Sequence, residues 1–255
     1  MPSGRDFQVA RFPTADALAA DAARRFVSVA AQAVRETGRF VVALAGGSTP
    51  RRLYELLATP EYADRVDWAR MHVFWGDERC VPPDDPASNY RLARAALLDR
   101  VPIPTASVHR IRGEDEPVRA AAAYERELRT AFATPEGPPS VQGGRRFDLI
   151  LLGMGSNGHT ASLFPGHAAV RERERWVMAE HVAELAAWRI TLTTPVLNAA
   201  AHVVFLVTGA EKAATLQRVL DGPVRPDALP AQAIAPADGV LTWLVDAGAG
   251  GEAKG

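Results

Sequence analysis

The chain has 255 residues, 47% of them hydrophobic and 23% charged, with 29 basic against 30 acidic side chains and a formal net charge of -1. That length suits one large α/β domain, and the charge balance gives no general attraction to nucleic acid or to an anionic membrane. The lone cysteine, Cys80, excludes an intramolecular disulfide and a thiolate zinc site. Any anionic ligand must therefore be gripped by a local cluster of donors. No apolar run approaches the ~20 residues that span a bilayer. The opening MPSGRDF lacks the apolar segment of a secretory signal, so a cytoplasmic protein is expected.

Leu18, Ala22, Phe26, Val29 and Ala33 recur at helical spacing and predict a helix over 15–36 behind a Thr14 cap. Phe40–Leu44 reads as a short buried strand, after which Pro50, in the first-turn position proline favours, leads a helix through Leu57. Met71–Trp75 reads as a strand, and helices are expected over 88–98 and 117–132. The Gly/Pro-rich stretch 135–144 is expected as a surface loop. Residues 147–152 form the clearest central strand, with further strands expected at 175–179, 188–193, 202–207 and 240–246. This alternation predicts a mostly parallel sheet with helices on both faces. It leaves 1–246 as one α/β domain and the Gly/Ala-rich 247–255 as a flexible tail.

Five segments carry chemistry-bearing residues. Gly46-Gly47-Ser48-Thr49-Pro50 lies between a buried strand and a helix, where glycines admit an anion and the helix end favours phosphate. It is equally a plain strand-to-helix turn with Thr49 as cap. No Gly-Lys-Ser/Thr follows, so it is not a Walker loop, and Pro50 spoils a serine-hydrolase elbow. Asp77-Glu78-Arg79 ends a strand at the edge where α/β proteins bind ligands, although salt-bridged loops look the same. Ser88 and Asn89 follow at a helix start, Ser88 in the cap position.

Residues 153–159 match the Gly-x-Gly-x-x-Gly fingerprint of dinucleotide sites, but Pro165 leaves no room for the long helix that fingerprint needs. The glycines instead bend the chain to aim His159 into the cleft, where a pKa near 6.5 suits acid–base work. His72 and His202 read as structural strand residues, and no histidine stands at a zinc-ligand spacing from His159. Arg189 opens an alternating strand, and its guanidinium suits a bidentate grip on phosphate. Lys212 is expected in a helix's first turn, where a cation is unfavourable unless something pairs with it.

Taken in order, AGGSTP (45–50), WGDERCVP (75–82), SNYRLA (88–93), LLGMGSNGHTASLFPGH (151–167), RITLTTPVLN (189–198) and VTGAEKA (207–213) resemble the 6-phosphogluconolactonase family. The resemblance implies a Rossmann-like fold similar to glucosamine-6-phosphate deaminase, with no nucleotide cofactor and no metal. It implies 6-phospho-D-glucono-1,5-lactone as substrate, in the oxidative pentose phosphate pathway; a monomer or homodimer is expected. His159 would be the base and Arg79 an oxyanion donor. Gly46, Gly47, Ser48, Thr49, Arg189 and Lys212 would hold the phosphate, and Asp77, Asn89 and Asn157 would complete the substrate site. The family often has Asp immediately before the Gly-His pair, where this chain has Asn157. Two readings of that departure differ. Asn157 serves only the Asn-Gly turn, or the usual carboxylate stabilises the imidazolium and is missing here. Two rival functions share the pattern: an amino-sugar-phosphate isomerase or deaminase using Asp77 or Glu78 as base, and a non-catalytic sugar-phosphate sensor.

Overall fold

The computed structural model describes residues 6–133 and 145–250; the loop expected at 135–144 lies outside them. Six strands form one parallel sheet: β1 (Gln8–Phe12), β2 (Phe40–Leu44), β3 (Met71–Trp75), β5 (Leu149–Gly153), β8 (His202–Val207) and β9 (Val240–Asp246). Their order is β1-β9-β8-β5-β2-β3. All five residues of β2 are buried, and β8 is buried from Val203 onward. Successive strand residues face opposite sides, so continuous burial means that both faces of the sheet are covered. The helix Ala15–Thr37, capped by Thr14 through Ala17 N–H at 3.1 Å, supplies part of that cover through Leu18, Ala22 and Phe26.

A second sheet was not legible in the pattern. The strands β4 (Asp77–Arg79), β6 (Val177–Val182) and β7 (Ala187–Leu192) pair antiparallel in the order β4-β7-β6. The expected strands at 175–179 and 188–193 therefore belong to this small sheet and not to the main one. The chain enters it through Gly76, whose N–H bonds Leu44 O at 2.9 Å and whose carbonyl accepts from Leu192 N–H at 2.8 Å. The small sheet thus stands at the carboxyl edge of the large one.

The predicted tail is also corrected in part. Ala247–Gly250 forms a helical turn, with Ala249 buried and its N–H bonded to Asp246 Oδ1 at 2.8 Å. The last five residues lie outside the described part.

Strand order reverses direction between β2 and β5, and the crevice at that switch is where open parallel sheets bind ligands. Two buried tyrosines fix the strand ends flanking it. Tyr54 donates to Ala45 O at 2.7 Å and accepts from Ala45 N–H at 3.0 Å. Tyr124 does the same for Trp75, at 3.0 and 2.8 Å.

Candidate active site

A cleft of about 240 Å³ opens at this switch point. It is lined by the loop Gly46–Thr49 after β2, by Asp77 and Arg79 of β4, by Asn89, by His159, and by Lys212 after β8. Nine of the eleven expected site residues therefore converge on one cavity; Arg189 and Asn157 are not among its lining residues. Arg189 stands beside it, directly opposite Arg79 in the β4–β7 register. Asn157 acts one step back, on His159.

The Gly-rich segment after β5 makes no helix. Gly158 takes φ of +84°, and Gly155 N–H closes on His159 O at 2.9 Å. The positive φ falls on Gly158 and not on Asn157, so Asn157 is not needed for its own backbone conformation. Its side chain instead serves the histidine. Asn157 Oδ1 accepts from the His159 main-chain N–H at 3.1 Å and sits 2.6 Å from Nδ1. An oxygen already accepting from an amide leaves the ring nitrogen as donor, so Nδ1 carries the proton and Nε2 presents its lone pair. Nε2 has no protein partner among the described residues.

Below the imidazole, a Cβ on Gly155 would come within 2.1 Å of His159 Cε1, so only glycine admits the ring there. On the ring itself, Phe164 stacks with centroids 4.5 Å apart and planes inclined by 26°. Burial holds the His159 pKa below its ordinary value; Asp77 opposes that shift, while Lys212, Arg79 and Arg189 add to it.

Asp77 is buried, and each of its carboxylate oxygens accepts one hydrogen bond. Ser162 Oγ donates to its Oδ2 at 2.7 Å, and Asn89 Nδ2 donates to its carbonyl at 2.9 Å and its Oδ1 at 3.2 Å. Asn89 is itself only 1% exposed, and its Oδ1 has no partner. An orphaned buried acceptor beside a polar cleft is an incomplete contact that a ligand hydroxyl would complete. Glu78 has a different task. Its carboxylate accepts from the amides of Arg79, Asn89 and Tyr90, each at 2.8 Å, and from Ser88 Oγ at 3.1 Å. It caps the helix Asn89–Ala96 together with Ser88, which accepts from Arg91 N–H at 3.1 Å. Burial raises the Glu78 pKa against those three amides.

The cations are the site's other half. Among the described residues Arg79, Arg189 and Lys212 enter no ion pair. Glu180, across from Arg189 on β6, is turned to the amides of Ala168 and Ala169 at 2.8 and 3.2 Å. Burial and then Arg79 lower the Arg189 pKa, with Asp77 partly offsetting them. Like charges directly opposite on paired strands cost stability, and among the described residues no carboxylate forms an ion pair with either arginine, although Asp77 lies near enough to offset part of the charge. Lys212 ends the turn Ala210–Lys212, just ahead of the helix Ala213–Asp221. Thr49 and Thr208 join the loops that follow β2 and β8 through hydroxyls 2.7 Å apart. Sequence reasoning gave no role to Ser162, Thr191 or Phe164. The first two support Asp77 and its strand, Thr191 by accepting from Ser162 N–H at 3.2 Å.

Unpaired cations, a glycine loop and an oriented histidine at the carboxyl edge of a parallel sheet define an α/β enzyme site built for a small anion. The chain belongs to the family described as Glucosamine-6-phosphate isomerases/6-phosphogluconolactonase, which matches residues 13–243, and within it to the 6-phosphogluconolactonases. It is 44% identical over 222 residues to 6-phosphogluconolactonase of Nostoc sp., covering 86% of this chain and 87% of that one. With the Haemophilus influenzae enzyme of the same name it shares 39% over 205 residues, 80% and 84% of the two chains. The solved 6-phosphogluconolactonase of Trypanosoma brucei superposes with a TM-score of 0.83 at 29% identity, covering 96% of this chain and 98% of that one. A monomeric glucosamine-6-phosphate deaminase, at 20% identity and a TM-score of 0.77 over 95% and 98% of the chains, shares the fold.

Proposed function

We propose that the chain hydrolyses 6-phospho-D-glucono-1,5-lactone to 6-phospho-D-gluconate, with a water activated by His159. The observation that carries this reading is the pairing of three cations that enter no ion pair among the described residues with a histidine whose Nε2 has no partner among them. The first suits a phosphate, the second a water. Nε2 takes a proton from water as its oxygen attacks the lactone carbonyl. The C=O electrons move onto oxygen, where Arg79 or a main-chain N–H offsets the charge. Collapse breaks the bond to the ring oxygen, which leaves with the proton from the imidazolium. The opened substrate carries a carboxylic acid and a free hydroxyl, and His159 returns to its starting state. Gly47, Ser48, Thr49, Arg189 and Lys212 hold the phosphate, so remote binding energy fixes the ring over the base. Asn89 Oδ1 and Asp77 accept from sugar hydroxyls.

The isomerase or deaminase reading loses one of its two bases, since Glu78 is spent on a helix cap. Asp77 remains its only candidate. Among the described residues no group of three or more His, Cys, Asp or Glu is placed to hold a metal. No helix among them is long and apolar enough to cross a membrane.

The direct test follows acid release from freshly generated 6-phosphogluconolactone, corrected for spontaneous hydrolysis and repeated after exhaustive chelation. Full activity in both arms is expected. Activity lost to the chelator and restored by one divalent ion would sink the mechanism, and ammonia release from glucosamine 6-phosphate would favour the rival.

Asn157 offers a second, finer test. A carboxylate at this position would face the Nδ1–H and favour the imidazolium, so Asn157→Asp should raise the His159 pKa. The base must be neutral to work, so the acidic limb of the kcat/KM profile should move to higher pH, by about one unit. At neutral pH kcat should change by less than about tenfold. An unmoved limb would leave Asn157 as a turn residue only.

A further inference from the structure

The mechanism uses the edge of the His159 ring and leaves its face unexplained. That face lies against Phe164, a buried phenyl group whose ring centroid is 4.5 Å from that of the imidazole. Gly155 also lies against the ring, where a Cβ would come within 2.1 Å of Cε1 and 2.2 Å of Nδ1. Phe164 is in turn braced. It packs against His167, with ring centroids 5.9 Å apart, and His167 N–H bonds Phe164 O at 3.2 Å. The His167 ring is pinned by carboxylates, with Nε2 3.2 Å from Glu184 and Nδ1 3.5 Å from Glu180. Phe164 is thus stacked on the His159 ring and held from elsewhere by His167, whose ring plane is inclined to it by 57°.

An imidazole held only through Nδ1 is free to swing about that single hydrogen bond. The stacked contact with Phe164, and the close approach of Gly155 where no side chain would fit, restrict that swing and hold Nε2 in one direction. We propose that Phe164 is a positioning residue for the reaction, clamping the His159 ring against Gly155 so that Nε2 faces the bound lactone. This rests on His159 being the base. Phe164 does not itself line the cleft. Its loss should therefore act on the chemical step more than on binding.

The clamp also keeps water from the ring face, and burial is the main cause holding His159 below its ordinary pKa. The charged groups facing His159 are Asp77 and Arg79 on β4, Arg189 on β7 and Lys212 after β8. None of these changes when Phe164 is replaced.

The test measures kcat, KM and the pH profile of Phe164→Ala, Phe164→Tyr and His159→Gln, with folding checked by Tm and by binding of 6-phosphogluconate. A misplacement of about 1 Å costs on the order of 100-fold in rate. Phe164→Ala should therefore lose about 10- to 100-fold in kcat, with KM within about threefold. Its acidic limb should move to higher pH as water reaches the ring. Phe164→Tyr, which keeps the flat face, should recover most of kcat and the original limb. A folded, ligand-binding Phe164→Ala with unchanged kcat and limb, beside an inactive His159→Gln, overturns the clamp alone. Loss of kcat with an unmoved limb and no rescue by Tyr also overturns it, since Phe164 would then only support the fold. If His159→Gln stays active, the assignment of the base falls and the clamp falls with it. Should Phe164→Ala not fold, Phe164→Leu takes its place, and wild-type kcat there overturns the proposal.

Discussion

Replacing His159 by Gln is expected to lower kcat for the phosphorylated lactone by at least ~100-fold, the usual scale of general acid–base catalysis. Glutamine keeps a polar end in the cleft but cannot take and return a proton near neutral pH. The lining cations and the Gly46–Thr49 loop are untouched, so binding of 6-phosphogluconate should persist, and KM should move far less than kcat. The pH profile adds a sign. The His159 pKa lies below its ordinary value because burial penalises the charged ring. The neutral, active form therefore survives to lower pH than a solvated histidine would allow, and kcat/KM should fall only on the acid side of about 6.5. A variant with near-normal kcat would move the base elsewhere, and Asp77, the buried carboxylate lining the same cleft, is then the first candidate.

What could be read in advance follows from which signals are local. The strands Phe40–Leu44 and Met71–Trp75 are short apolar runs between turn signals, and they lie where the pattern placed them. Thr14 and Ser88 cap the helices they precede, because capping needs only the cap side chain and the next turn. The three-stranded sheet was hidden for the opposite reason. Its strand β4 is Asp77-Glu78-Arg79, three charged residues with no alternation of apolar side chains to announce a strand. Those residues are strand because they pair with Arg189, Ile190 and Thr191, more than a hundred positions later. Asp77 and Glu78 looked alike in sequence for the same reason. Only the fold turns Glu78 to the amides of Asn89 and Tyr90 and leaves Asp77 lining the cleft. Asn157 was read as a bend or as a lost carboxylate. The positive φ on Gly158 and the 2.6 Å contact to Nδ1 are both tertiary facts that no local rule contains.

Arg189→Ala and Lys212→Ala should each cost about 2–5 kcal/mol in transition-state stabilisation for the phosphorylated lactone, read mainly in kcat/KM. The expectation rests on what these cations lack. Arg189 faces Arg79 across the β4–β7 pair, and the carboxylate on its other flank, Glu180, is committed to the amides of Ala168 and Ala169. Lys212 lies at the head of a helix, where the dipole disfavours a cation, and has no acidic partner among the described residues. Such placements weaken the empty protein and strengthen its grip on a dianion. Two measurements separate that account from a structural role. With unphosphorylated gluconolactone, which has nothing for these residues to hold, both variants should lie close to the parent enzyme. Removing Arg189 also relieves a like-charge contact worth roughly 0.2–1 kcal/mol, so the Tm of the unliganded variant should stay level or rise. Equal losses on both lactones, accompanied by a lower Tm, would mean that Arg189 supports the small sheet and that the phosphate is gripped elsewhere, with the Gly46–Thr49 loop and Arg79 left to hold it.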